Sequence, residues 1–316
     1  MGYGSSNDIS GIYFVNRSFT VPGAIGYMES HDEERLMYKN LQFGNSAGLY
    51  SVKTLSTALN RIKAANLIFY SIPGPKMIWQ FGELGYDLSI NTCSDGTTNN
   101  NCRTSAKPIK WEYQQVGDRA SLFTVTADLI RLRNTYSVFT SGDATLIGGS
   151  NLVKQVMLKN KPYTASPTNS SQMNVVSVAN FDVSNQTVQI TFPHTGTWYD
   201  YYEYGAQLNV TSTNQSMELT PGQYKLYTDV LIQNLITSTE EEHVSISLFP
   251  NPTNDVLRVQ AEKPIQSLAL ISMQGSAVLP KRIDTESWDV SSMSAGLYIA
   301  EIRFENSVIR KRVLKK

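Results

Sequence analysis

Short apolar runs alternate with helically spaced apolar positions over residues 1 to 138. Ala24-Ile-Gly-Tyr-Met28 predicts a buried strand. Leu55, Leu59, Ile62, Ala65 and Phe69 then recur at the spacing of one helix face. Ile72-Pro-Gly-Pro75 stops that helix, because proline lacks the N–H a helix interior needs. Lys76-Met-Ile-Trp-Gln-Phe81 predicts a second strand. Leu122, Val125, Leu129, Leu132 and Tyr136 mark a further helix face, with Asp118 as its expected N-cap. Strand, helix, strand, helix is the order of a parallel sheet or barrel.

From residue 139 to 229 the period shortens to two. Val175-Val-Ser-Val-Ala-Asn-Phe181, Val188-Gln-Ile-Thr-Phe192 and Tyr224-Lys-Leu-Tyr227 are separated by turn signals such as Pro193-His-Thr-Gly196 and Pro221-Gly222. That predicts an antiparallel β-sandwich. Residues 230–243, with the polar run Ser238-Thr-Glu-Glu-Glu242, are the expected linker. Residues 244–316 return to alternation, at Val244, Ile246 and Leu248 and again from Leu297 to Phe304, and predict a second small β-domain.

The chain has 316 residues, 41% of them hydrophobic and 17% charged, which suffices for large cores and excludes wholesale disorder. Lys plus Arg and Asp plus Glu each total 27, and this balance argues against a nucleic-acid partner. No apolar run approaches the roughly 20 residues of a membrane helix. Met1 to Asp8 is polar and carries no apolar core of a secretory signal. Cys93 and Cys102 share one Asn- and Gly-rich stretch, whose closure costs little, so a loop-stapling disulfide and an oxidising compartment are expected. Two thiols without a neighbouring histidine are too few for a zinc site, and no metal site is expected.

The densest polar cluster, Glu29-Ser-His-Asp-Glu-Glu-Arg35, follows directly on the first predicted strand. At the C-terminal end of a barrel strand, such side chains project into an active site. Tyr27-Met-Glu-Ser-His-Asp-Glu-Glu-Arg35 resembles the fourth conserved region of the α-amylase family of glycoside hydrolases, with Ser30 where the family usually has asparagine. Pro73-Gly-Pro-Lys-Met-Ile-Trp-Gln-Phe-Gly-Glu-Leu-Gly85 is similar to that family's final barrel strand. Lys107-Pro-Ile-Lys-Trp111 and Leu129-Ile-Arg-Leu-Arg133 are similar to the segments around its last helix.

This resemblance implies a partial (β/α)₈ barrel over 1–138 and the family's all-β C-terminal domain over 139–229. It also implies retaining hydrolysis of α-glucans such as starch, glycogen or maltooligosaccharides. Asp32 would be the transition-state-stabilising carboxylate and His31 a substrate-binding donor; Arg35 and Glu83 would support them. Calcium enters only by family analogy. The nucleophile and general acid belong to earlier barrel strands and fall on no residue here, so the chain is expected to be a truncated enzyme, inactive alone. The alternative is a non-catalytic secreted sugar-binding protein, with Trp198, Tyr199, Tyr201, Tyr202 and Tyr204 as a stacking platform.

The C-terminal zone resembles a type A sorting domain of the type IX secretion system. The resemblance rests on Leu248-Phe-Pro-Asn-Pro-Thr-Asn-Asp-Val-Leu257, Met273-Gln-Gly275, Ser294-Ala-Gly-Leu-Tyr298 and the terminal Lys/Arg run. It implies that the type IX machinery is a partner and that the protein is secreted or held on the outer surface of a bacterium.

Overall fold

A computed structural model describes residues 7–232, 246–261, 264–272, 277–304 and 308–316. The chain is multidomain and mostly β with few helices, and it divides into two compact units, Met1–Ile236 and Thr237–Lys316. Most of the expected linker, and the Met273-Gln-Gly275 motif, lie outside the described residues.

In the first unit, strand β1 (Gly26–Tyr27) leads to helix α1 (Leu36–Phe43), a small hairpin of β2 (Ser46–Ala47) and β3 (Tyr50–Ser51), and helix α2 (Leu55–Ser71). Strand β4 (Lys76–Met77) follows and pairs with β1 in parallel, Gly26 opposite Lys76 and Tyr27 opposite Met77. Both strands are shorter than their apolar runs, because each has one hydrogen-bonded neighbour among the described residues. Beyond β4 the backbone bends at Phe81, whose φ of 59° lies in the left-handed region, and closes a short turn over Gly82–Leu84. Helices α3 (Gly117–Thr135) and α4 (Val138–Ser141) complete this part. Asp118 lies inside the first turn of α3 rather than at its cap, which is Val116 with no side-chain bond; the carboxylate complements the helix dipole there.

Strands β5 (Asp143–Ile147), β6 (Val153–Lys159), β7 (Val175–Asn180), β8 (Gln186–Thr191), β9 (Gly196–Asp200), β10 (Ala206–Val210), β11 (Asn214–Leu219) and β12 (Tyr224–Thr228) follow. Six form an antiparallel sheet in the order β10-β9-β12-β7-β6-β5, and β8 pairs with β11 separately. Strand β7 is buried on both faces. Val175 and Ala179 join α2 and α3 in a cluster with Leu67, Phe69, Leu129 and Leu132. Val176 and Val178 face the β8–β11 pair with Ile190, Phe192 and Trp198. The period-two alternation of β7 therefore serves two apolar neighbours at once.

The first of these clusters runs from Tyr13 to Ile232 and crosses residue 138, where the sequence suggests a boundary. Helices and sheet share one core because α2 lies directly on β6 and β7. A hydrogen bond between the Ser71 and Ser177 hydroxyls, 2.6 Å long, satisfies both buried groups at that contact.

The second unit contains β13 (Ile246–Phe249), β14 (Val256–Ala261), β15 (Ser267–Ser272), β16 (Ala277–Val278), β17 (Lys281–Arg282), β18 (Ser287–Asp289), β19 (Gly296–Arg303) and β20 (Val308–Lys315). They form two four-stranded antiparallel sheets, β13-β14-β18-β17 and β16-β15-β19-β20. Leu257, Val259, Leu268, Trp288, Ala300 and Ile302 fill the core between them.

Candidate functional site

The loop from Met28 to Arg35 leaves the C-terminal end of β1 and separates its side chains into an inner and an outer set. Glu29, Ser30 and Arg35 turn inward and are buried. Glu29 Oε2 accepts the Leu36 N–H at the start of α1, at 2.8 Å. Its other oxygen, Oε1, is buried without a protein partner. Burial pushes the Glu29 carboxyl above its ordinary range, and the Leu36 N–H and then the Arg35 charge pull it partly back. A Cβ on Gly82 would stand 2.9 Å from Glu29 Oε1, so glycine is what lets the second loop approach.

Arg35 is 1% exposed. It donates to the Ser30 carbonyl at 2.8 Å, and its guanidinium lies over the rings of Trp79 and Tyr86 at 5.8 and 5.7 Å. Glu29, Glu83, Tyr70 and Trp79 line a cavity of about 30 Å³ between the loops. Pockets for small-molecule ligands run from about 300 to 1,000 Å³, so this one holds no sugar ring.

His31 and Asp32 turn outward. Nε2 of the histidine is 3.4 Å from Asp32 Oδ2, and the side chains are 69% and 71% exposed. The Trp79 ring lies 5.6 Å from the His31 ring. Neither His31 nor Asp32 lines this cavity. The structure thus places Arg35 and Glu83 beneath the loop and His31 with Asp32 on top of it. Glu29 is the buried acid that composition and spacing did not single out, although it sits within the quoted cluster. Its signal is the position directly after an apolar run, where a carboxylate can reach an α1 N–H.

A second loop braces the first. Cys93 and Cys102 are joined, with sulfurs 2.07 Å apart. Glu34 accepts from Ser89 Oγ at 2.8 Å and from the Ile90 N–H at 2.7 Å. Lys107 Nζ donates to the carbonyls of Ile90, Thr92 and Cys102. Arg103 donates to the Asp32 carbonyl. The stapled loop therefore holds the backbone that presents Asp32. Asp95 in the same loop closes a turn onto Thr97 N and Oγ1. Among the described residues no three His, Cys, Asp or Glu side chains gather as metal ligands.

At the start of β4, Lys76 Nζ donates to the Gly74 carbonyl at 3.1 Å and stands 5.3 Å from the Phe69 ring centroid. Burial, with repulsion from Arg133, pushes its ammonium down from 10.5 to about 7. Between those values the unfolded chain holds a proton that the folded chain has released, so this residue makes stability rise with pH from about 7 to about 10. Below about 7 both states are charged and the full cost applies. In Lys76→Met that contribution to the rise is expected to vanish. Thermal unfolding at about pH 6, 8 and 10 checks it, since a wild-type-minus-variant difference independent of pH contradicts the assignment.

The aromatic platform expected in the sheet region does not assemble. Trp198 and Tyr201 are in the core, and Tyr202 is half-buried against Tyr201 and Tyr224, while Tyr204 is 63% exposed. Alternation along β9 and the turn after it sends these rings to opposite sides.

Residues 247–316 match the family model described as the secretion system C-terminal sorting domain. That domain indicates type IX secretion to the cell surface or outside. Among the described residues no helix is long and apolar enough to cross a membrane. No curated protein matches the chain. Similar solved structures include an α-amylase from Geobacillus thermoleovorans complexed with acarbose, at 12% identity and TM-score 0.44, covering 65% of this chain and 38% of that one. An Anoxybacillus α-amylase matches at 16% identity and TM-score 0.45, covering 65% of this chain and 37% of its own. CldA, a cyclomaltodextrin glucanotransferase, matches at 16% and 0.46, covering 69% of this chain and 39% of its own. The chain spans less than two fifths of the length of each of these neighbours.

Proposed function

We propose that residues 1–138 supply the last βα units of an α-amylase-type (β/α)₈ barrel and residues 139–229 its C-terminal β-sandwich. In this reading the sorting domain exports a retaining glycoside hydrolase that acts on α-glucans. The observation that carries the reading is the parallel pairing of β1 with β4 through a helical crossover, with His31 and Asp32 directly beyond the end of β1. Parallel strands joined by helices are characteristic of α/β folds, and barrel active sites sit at the C-terminal strand ends.

Asp32, as a carboxylate, accepts hydrogen bonds from sugar hydroxyls and offsets the charge of the oxocarbenium-like transition state. His31, held beside it, donates to the same ring. Interactions that strengthen as the ring distorts raise the rate rather than merely tightening binding. The Trp79 ring beside His31 adds an apolar face against which a sugar can stack. Arg35 holds the loop from beneath through the Ser30 carbonyl, and Glu83 lines the small cavity under it. The two reacting carboxylates are assigned to no residue of this chain. Their strands would face the exposed side of His31 and Asp32 and form the opposite wall of the cleft.

The test begins with the gene upstream of Met1, where an Asp-bearing and a Glu-bearing barrel strand are expected. The purified 316-residue chain is expected to release no reducing sugar from starch or maltooligosaccharides, and turnover by it would refute the assignment of roles. In the extended protein, Asp32→Asn is expected to lower kcat by about a hundredfold or more, the scale of losing one preorganised electrostatic group. Unaltered turnover in that variant removes Asp32 from the site.

A further inference from the structure

The face of the six-stranded sheet turned away from α2 and α3 carries a cleft of about 580 Å³. It opens between the β5–β6 loop, the turn after β7, and strand β8. Its volume lies within the range of small-ligand pockets. Val153, Val178, Val188 and Ile190 form an apolar floor. Ser150 and Asn151 stand at its rim, exposed, and their side chains make no hydrogen bond among the described residues.

The walls are tied in place. The Gln155 amide is buried and bridges β6 to β8, accepting from Thr191 N at 3.1 Å and donating to Thr191 O at 2.5 Å. Asn180 Nδ2 donates to the carbonyls of Ser184, Leu219 and Thr220 at 3.0 to 3.1 Å. The cleft is thus formed before any ligand arrives, which lowers the ordering cost of binding.

Its chemistry narrows the occupant. No Lys, Arg or His lines it, so an anion finds no counter-charge. Its one carboxylate, Asp182, already accepts from Val183 N and Gln186 Nε2, at 2.6 and 2.7 Å, and a cation finds no ligand set. Hydroxyl and amide groups that both donate and accept, above an apolar floor, match an uncharged ligand rich in hydroxyls with C–H faces. We propose that this cleft binds a short neutral oligosaccharide. The site is distinct from the His31–Asp32 loop and does not depend on the barrel reading.

The test is a ¹H–¹⁵N titration of the purified chain with maltotriose, with cellotriose as a second probe and inorganic phosphate as a counter-probe. Saturable shifts are expected at residues 150–153 and 186–190 with at least one trisaccharide and none there with phosphate. The exposed double variant Ser150→Ala, Asn151→Ala is expected to weaken binding tenfold or more with an unchanged melting temperature. Val188→Trp, which fills the cleft, is expected to abolish it. Absence of shifts at these residues with both sugars overturns the proposal, as does binding indifferent to both variants. Shifts confined to His31 and Trp79 overturn it too, while supporting the glycosidase reading. Shifts at the cleft alone sustain it and count against sugar binding at His31.

Discussion

Arg133→Ala is expected to destabilise the first unit by about 3–5 kcal/mol and to lower its melting temperature by roughly 10 °C. The Arg133 guanidinium reaches back from the last turn of α3 to the end of α2. Nη1 donates to the carbonyls of Tyr70, Ile72 and Phe139 at 2.6, 3.0 and 3.1 Å, and Nη2 donates to Gly74 O at 2.8 Å. A helix end leaves its last carbonyls without intrahelical donors, and Pro73 and Pro75 can supply none nearby. One rigid fork therefore serves three oxygens along the segment that leads into β4 and a fourth in α4. Hydrogen bonds to a charged group are worth about 1.5–3 kcal/mol each, and water recovers part of that when the side chain is cut away. Arg133→Lys is expected to restore only a minor share, because a single ammonium cannot serve the spread of carbonyls a planar guanidinium reaches. Differential scanning calorimetry on the three proteins decides it. A shift for the alanine variant below about 2 °C, or full rescue by lysine, would show that these bonds contribute little.

Arg35→Ala is expected to cost a similar amount, about 3–5 kcal/mol, through a different mechanism. Arg35 is the counter-charge facing buried Glu29, whose carboxyl burial already pushes upward. Removing the cation leaves that acid with chiefly the Leu36 N–H against its burial and opens a void between Trp79 and Tyr86. Glu29 then titrates higher still, so the alanine variant is expected to lose more stability at neutral pH than near pH 4, where the acid is protonated. A companion change, Glu29→Gln, removes the charge that needed compensation. In the double variant it is expected to recover a measurable part of the loss. Additive single effects would argue that Arg35 acts by packing alone.

These two arginines show where local reading ends. Both stand in segments whose motifs are visible in the sequence, Glu29 to Arg35 and Leu129 to Arg133. Nothing within either segment identifies Gly74 or Tyr86 as a partner, since those residues lie more than fifty positions away along the chain. His31 and Asp32 were legible as an adjacent pair after an apolar run, whereas their outward direction depends on how Glu29 and Arg35 are held from below. The amides that tie the walls of the sheet cleft, Gln155 and Asn180, carry no periodic signal because they bond across the sheet.

By itself the sequence specified what periodicity and composition can encode. Those are the faces of α2 and α3, the alternation of the later strands, the proximity of Cys93 and Cys102, and the separate C-terminal unit with its sorting signature. Such features depend on neighbours within one turn, one strand or one short loop. Tertiary structure alone decided that β1 and β4 stop after two residues each, that helices and sheet share a core across residue 138, and that Glu29 is buried while Asp32 is not. Strand length depends on a hydrogen-bonded partner, and burial depends on what packs from elsewhere in the chain; local pattern carries neither.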